Sequence, residues 1–485
     1  MRPSGGAHGL HCRAATLRPA QPFPAGLVAT LVLRTLLLTC ALGLLLAVPA
    51  SAAPTQALTF EAPRDLEDAA KRPAAFSELD SFGVRQLRVI VLWSKVAPGA
   101  VSPQRPDFDA TDPAAYDWSR YDPIVAEAKQ RGWSVLVTIS GPAPRWATAA
   151  KRDNLTRPDA DAFGDFVTAV GRRYGDQIDT WSIWNEPNQP QFLRPQYARG
   201  GKPTSPAIYR KLYQAAVKGL ALAGQASDRV LIAETSPRGT TSVVGPLVFL
   251  RGMLCLNSSY RKRKSCEMLR PDGYAHHAYT TRQGPYFVPG SRNDVTIGVL
   301  SRLTRAIDRA ARANALPRAL PIYLTEFGIQ SFPDRQSGVS LTKQVRFRSI
   351  AERIAYGNPR VVSFSQYLLT DSDPTGPNEF GGFESGLRFA DGRPKPSLAS
   401  FPLPIAVERR RSKVSIWGLV RPAGGQTSAT ITYADRGSSS FKALSPVKTD
   451  ARGYFRLTAS YRKGRRWNVE WQGRKSYPVS AYEKR

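Results

Sequence analysis

Ile178-Asp179-Thr180-Trp181-Ser182-Ile183-Trp184-Asn185-Glu186-Pro187-Asn188 begins as a β-type run and ends in a carboxylate set between an amide and a proline. Proline at 187 biases Glu186 toward an extended backbone, so the strand stops there and the carboxylate projects from its end. Seven further short β-type runs flank this one, at 58–61, 87–93, 134–139, 229–234, 273–277, 321–326 and 361–368. Helical patterns lie between them, at 121–131, 161–174, 206–223, 295–312 and 342–356, and Thr204-Ser205-Pro206 supplies an N-cap and an early proline for one. Eight alternating βα units predict an α/β fold of the (β/α)8 TIM-barrel type. A doubly wound sheet is the alternative, but no glycine-rich phosphate loop follows the first strand.

The character of the chain changes at Phe401-Pro402-Leu403-Pro404. Residues 405–485 hold 18 Lys and Arg against 5 Asp and Glu, and they alternate polar with apolar at 414–417, 428–433, 454–457 and 467–471. That pattern, with Gly and Asp turns between the runs, predicts a small antiparallel β-sandwich. The barrel domain is therefore expected over 53–404 and a basic accessory domain over 405–485. At the other end no acidic residue precedes Glu61, and Arg2, Arg13, Arg18 and Arg34 precede or interrupt an apolar run that reaches Val48. With Pro49-Ala50-Ser51-Ala52 behind it, the segment 1–52 reads as a secretory signal cleaved after Ala52, leaving a secreted chain without a membrane anchor. An anchor over 26–48 is the alternative, which Arg34 opposes.

With 42% apolar and 10% aromatic residues the 485-residue chain can bury a large core, which excludes a disordered class. Its formal charge is +30, and +26 once the four arginines of the leader are removed. Such a surplus predicts attraction to polyanions and says nothing about fold. The basic runs Arg261-Lys262-Arg263-Lys264, inside the expected disulfide loop, and Arg409-Arg410-Arg411, opening the C-terminal domain, read either as solvated faces or as a means of retention on an anionic cell-envelope polymer or an acidic glycan, the polymer being met through the C-terminal domain. After cleavage the remaining His276, His277, Cys255 and Cys266 would make a metal site only by using all four, and adjacent histidines on a strand face opposite ways. No metal or other cofactor is expected. Cys255 and Cys266 are expected to form a disulfide in an exported chain, with two free thiols as the alternative.

The mouth of such a barrel, at the C-terminal strand ends, is where chemistry is built. Strand four ends in Asn185-Glu186 and strand seven in Thr325-Glu326-Phe327-Gly328. Two carboxylates facing each other suit glycosidic cleavage, one giving a proton to the leaving oxygen and the other meeting the oxocarbenium-like centre. Glu234, at the end of strand five, is a rival carboxylate without comparable neighbours.

The Trp184-Asn185-Glu186-Pro187-Asn188 run together with Glu326 resembles the clan of retaining glycoside hydrolases that carry catalytic glutamates on strands four and seven, most nearly families 39 and 5. The resemblance spans about residues 58–401 and implies Glu186 as acid/base, Glu326 as nucleophile and Asn185 as the partner of the sugar 2-hydroxyl. It further implies Arg88 beside the nucleophile, and Trp93 ending strand two. Gly141-Pro142-Ala143-Pro144-Arg145-Trp146-Ala147 resembles a strand-three subsite loop, with Trp146 as a sugar platform. His277-Ala278-Tyr279 resembles the element after strand six, with Tyr279 on the nucleophile and His276 structural. Gly386-Leu387 through Lys395-Pro396 resembles the segment that closes the barrel. Strand eight departs from the clan, because Gln366 and Tyr367 stand where many of these enzymes have a tryptophan, and the identity of the sugar stays open. The activity implied is double-displacement hydrolysis of a poly- or oligosaccharide by a secreted glycosidase. A catalytically silent glycan-binding barrel and a nucleic-acid-binding protein are the other readings. Intact Glu186, Glu326 and Arg88 oppose the first, and export, scattered charge and the lack of a nucleic-acid motif oppose the second.

Overall fold

Eight parallel strands close into a barrel in chain order in the computed structural model, which describes residues 56–263, 266–372 and 382–483. They are β1 (Ala57–Glu61), β2 (Gln86–Leu92), β3 (Ser134–Ser140), β4 (Thr180–Ile183), β5 (Arg229–Thr235), β6 (Gly273–His277), β7 (Ile322–Glu326) and β8 (Val361–Tyr367). Val135, Leu136 and Val137 are buried in succession because barrel strands are covered on both faces, by helices outside and side chains within.

The outer helices include Asp122–Gln130, Ala160–Tyr174, Ser205–Leu222, Pro246–Met253, Ser301–Arg312 and Leu341–Tyr356. Asp159 and Ser340 cap two of them by accepting from Ala162 N and Lys343 N. The expected cap at Thr204 does not form. Its hydroxyl donates to Lys202 O (3.3 Å), the Ser205 hydroxyl goes to Gln196 (2.9 Å), and early Pro206 marks the helix start instead. The helix expected over 295–312 is shorter, with a 3-10 turn at Ile297–Val299 ahead of Ser301.

After the barrel come β9 (Ile405–Arg410), β10 (Lys413–Leu419), β11 (Ser428–Ala434), β12 (Lys442–Lys448), β13 (Tyr454–Ser460), β14 (Arg466–Trp471), β15 (Arg474–Lys475) and β16 (Val479–Ser480). β13-β10-β9 form one antiparallel sheet and β12-β11-β14-β15, with β16 on β14, the other. The alternating runs read from the sequence became β10, β11, β13 and β14. β9 and β12 escaped that reading because β9 ends in Glu-Arg-Arg and β12 contains Pro446, which its edge position tolerates.

Barrel and all-β region lie in one unit, Ala52–Arg485. Ile350 and Tyr356 of the last barrel helix pack with Ala406, Trp417, Leu419 and Tyr454. Glu352 on the same helix is bound both by Arg348 (2.8 Å) and by Arg421 of the all-β region (3.0 Å). The expected leader 1–52 and its cleavage point lie outside the described residues. No helix among the described residues is long and apolar enough to cross a membrane. Cys255 and Cys266 are joined as a disulfide, while Lys264 and Ser265 inside that loop lie outside the described residues.

Candidate active site

At the end of β4 the chain turns sharply. Trp184 and Glu186 have φ of 65° and 38°, so Glu186 sits in the left-handed region and not in the extended form expected before a proline. Such a conformation costs about 1–3 kcal/mol per residue and persists where surrounding bonds overdetermine it. Here Trp184 N donates to Ile139 O (2.9 Å), Asn185 N to Ser140 Oγ (2.9 Å) and Glu186 N to Glu234 O (3.1 Å). The Trp184 ring lies over Gly141, where a Cβ would come within 2.5 Å of it, so only glycine fits beneath. On β5 the register slips at Ala233–Thr235 and Glu234 takes φ 43°, a bulge that re-aims its side chain into the barrel.

Arg88, rising inside the barrel from β2, is the hub of the mouth and is fully buried. Its guanidinium donates to Glu326 (3.2 Å), to Asn185 Oδ1 (2.8 Å), to both oxygens of Glu234 (3.3 and 2.9 Å), to Thr138 (3.1 Å) and to Glu61. Burial opposes its charge, yet Glu234, Glu61 and Glu326 together hold it well above its ordinary pKa. Glu234 is spent on Arg88 and Thr138 and has no exposed surface, so it cannot reach a substrate.

Glu186 and Glu326 come together around one imidazole. His277 Nδ1 lies 2.9 Å from Glu186 Oε1 and 3.6 Å from Glu326 Oε2, and β6 and β7 pair so that His277 and Glu326 stand level. Those two carboxylate oxygens are therefore no farther apart than the two lengths added. Glu186 also accepts from Gln189, and Glu326 Oε1 accepts from Tyr279 Oη (2.6 Å). Burial pushes the Glu186 carboxyl up, opposed by His277. Burial pulls His277 down, but Glu326 and Glu186 outweigh it and hold the imidazole above its ordinary value. His276 points the other way, between Thr235 (3.0 Å) and Val295 O (2.8 Å), and burial drops it to about 4.

A cavity of about 520 Å³ opens over this group, lined by Glu61, Arg88, Asn185, Glu186, Glu326 and Tyr367 among others. The remaining residues singled out in the sequence sit elsewhere. Trp93 is fully buried and stacks on Phe166 (5.4 Å), and Trp146 meets its edge (5.9 Å) with its indole N–H on Pro98 O (3.2 Å). Both rings belong to the aromatic packing between barrel and helices. Gln366 is buried too, accepting from Arg348 (2.8 Å) and donating to the carbonyls of Tyr367, Leu368 and Ser385. The segment after β8 is tied down by Lys395, which reaches Asp371 (2.7 Å), Ser331 Oγ and Glu384 O.

Several cavity residues went unremarked in the sequence. Gln189, Phe192 and Phe383 line the opening, and Glu61 does so from the end of β1, level with Tyr367. Burial, opposed by Arg88, pushes the Glu61 carboxyl up to about 7. Its position as the last residue of a strand was the available signal.

The chain is a (β/α)8 barrel with two carboxylates, Glu186 and Glu326, brought together at its mouth. A glucosidase from Croceicoccus marinus shares this fold at a TM-score of 0.50 and 11% identity, over 87% of this chain and 97% of its own. A monomeric beta-xylosidase from Caulobacter crescentus aligns with a TM-score of 0.49 and 16% identity, over 87% and 98%. The GH39 enzyme from Xanthomonas axonopodis pv. citri gives 0.49 and 15%, over 87% and 95%. No family model and no curated protein matches the sequence. The glucosidase likeness is one of fold.

Proposed function

We propose that the chain is a secreted retaining glycoside hydrolase, with Glu326 as nucleophile and Glu186 as acid/base. The observation that carries this reading is the pair of strand-end carboxylates bridged by His277 Nδ1. The bound on the two oxygens that face His277 only reaches the lower edge of the about 6.5–9.5 Å of inverting carboxyl pairs, and such an approach is compatible with the about 5–5.5 Å of retaining pairs.

In the first step Glu326 attacks the anomeric carbon, the glycosidic C–O bond breaks and Glu186 passes its proton to the departing oxygen. Burial favours the protonated Glu186 that this needs. In the second step Glu186 takes a proton from water, which displaces Glu326 from the glycosyl ester. Tyr279 and Arg88 hold Glu326 on both oxygens and aim it. Asn185, itself fixed by Arg88, is the partner offered to the sugar 2-hydroxyl.

Arg88 is the one cation among the described cavity-lining residues, and carboxylates already occupy it. A neutral sugar therefore suits the cleavage point better than a uronic acid. Export of the chain is supported by its leader-like segment and by the Cys255–Cys266 disulfide. Hydrolysis of a panel of neutral aryl glycosides, with proton NMR of the first-formed anomer, tests the reading. An inverted first product overturns it, and so does failure to cleave any glycoside.

A further inference from the structure

A second depression, of about 640 Å³, lies on the flank of the barrel against helices Pro246–Met253 and Ser301–Arg312, and its lining includes Arg251, Arg292, Arg302, Arg305 and Arg309. Arg302, Arg305 and Arg309 are spaced so that one face of the helix carries all three. Arg251 is set by Asn293 (2.9 Å), Arg302 by the carbonyls of Ser291 (2.7 Å) and Asp294 (3.1 Å), and Arg309 by the Tyr260 ring at 4.2 Å. Arg292 and Arg305 are exposed. None of the five is paired with a carboxylate among the described residues. Asp308, the only acid on the helix, is taken by Arg360 (2.8 Å), and the Asp294 carboxylate accepts from Gly239 N.

A concave cluster of guanidinium groups without counter-charges is short of anions; Arg251, Arg302 and Arg309 spend part of their donors on protein oxygens, and the exposed forks of Arg292 and Arg305 can each take a carboxylate or sulfate through two parallel hydrogen bonds. The basic depression of the all-β region differs, because Arg462 and Arg465 there share Asp435. The flank also lacks what other polyanion carriers require. Its one aromatic, Tyr260, is buried under Arg309 and offers no face for base stacking. Leu247 and Ala306 are buried and present nothing to insert into a bilayer.

We propose that this five-arginine depression is a binding site for an acidic polysaccharide, seating its carboxylate or sulfate groups away from the cleavage cavity. The site rests on its own geometry and stands whether or not the chain is a hydrolase. The exposed Arg261-Lys262-Arg263 run directly after Tyr260 extends the positive surface along the bound chain.

Titration of the full chain with polygalacturonate, dextran sulfate and neutral dextran at about 0.15 M salt tests this. The wild type is expected to bind one or both acidic polymers and not the neutral one, more weakly as salt rises. Arg292→Glu combined with Arg305→Glu is expected to weaken that binding at least about tenfold, while the thermal unfolding temperature and the rate on a small neutral glycoside stay unchanged. Arg292→Gln with Arg305→Gln should fall between. Reversal of Arg462 and Lys463 in the all-β region should leave binding as it was. Unchanged affinity in the flank variant overturns the proposal, as does loss of binding on reversal of the tail residues alone. Tighter, variant-sensitive binding of duplex DNA or phosphatidylglycerol vesicles overturns the ligand assignment.

Discussion

Glu61→Gln removes a titrating carboxyl from the barrel mouth while keeping its shape. Burial is the main reason that the Glu61 carboxyl is pushed from 4.5 to about 7, with Arg88 pulling the other way. Between those two values the folded chain holds a proton that the unfolded chain has released, so stability falls as pH rises through that window and levels off above it. Each pKa unit corresponds to about 1.4 kcal/mol, which makes the loss by pH 8 about 3 kcal/mol from this one group. Groups away from the mouth add a slope that is common to both proteins, so the difference reads Glu61 together with the charges beside it, Arg88, Glu326 and His277. Urea unfolding of wild type and Glu61→Gln at pH 5 and pH 8 reads the difference. Because pH 5 already lies inside the window, the wild type should lose about 2.5 kcal/mol more than the variant between the two pH values. An identical pH dependence in both would show that Glu61 is ionised throughout and that Arg88 outweighs burial, refuting the reasoning.

Glu326→Ala should abolish turnover, whereas Glu186→Ala should lose about 100- to 10,000-fold on poor leaving groups and little on activated ones. Azide should rescue the Glu186 variant with retention and the Glu326 variant with inversion, as read by NMR of the glycosyl azide. Tyr279→Phe deletes the 2.6 Å hydrogen bond to Glu326, and a bond to a charged group is worth about 1.5–3 kcal/mol, so kcat/KM should fall about 10- to 150-fold. A change of less than about twofold contradicts a positioning role for that hydroxyl. Ending the chain at Pro404 uncovers Ile350 and Tyr356 and takes Arg421 from Glu352, at about 1.5–3 kcal/mol for each large apolar side chain exposed. Thermal unfolding of the shortened chain should show a lower midpoint, and an unchanged one would make the seam passive.

What the sequence by itself determined is what depends on neighbours along the chain. β1 to β8 were legible because each is a short apolar run between breakers, and their alternation with helices admits few topologies. Glu186 and Glu326 were legible because a strand end next to a turn is a local feature, and the barrel rule then puts strand ends at one mouth. Cys255 and Cys266 were close enough in sequence to be paired on chemistry alone. The tertiary structure decided everything that depends on which distant side chains meet. Arg88 beside Glu326 was expected from the resemblance alone, and only barrel closure shows that Glu61 and Glu234 come to it as well, from two further strands. Trp93, Trp146 and Gln366 occupy positions where a cavity role is plausible, yet whether such a side chain faces the cavity or packs behind it is set by rotamer and by partners from other elements. The five arginines of the flank come from two helices and a loop, and their lack of counter-charges could emerge only once Asp308 and Asp294 had found partners elsewhere. Local pattern is set by hydrogen bonding and apolar periodicity over a few residues, whereas electrostatic environment is a sum over space, which the fold alone defines.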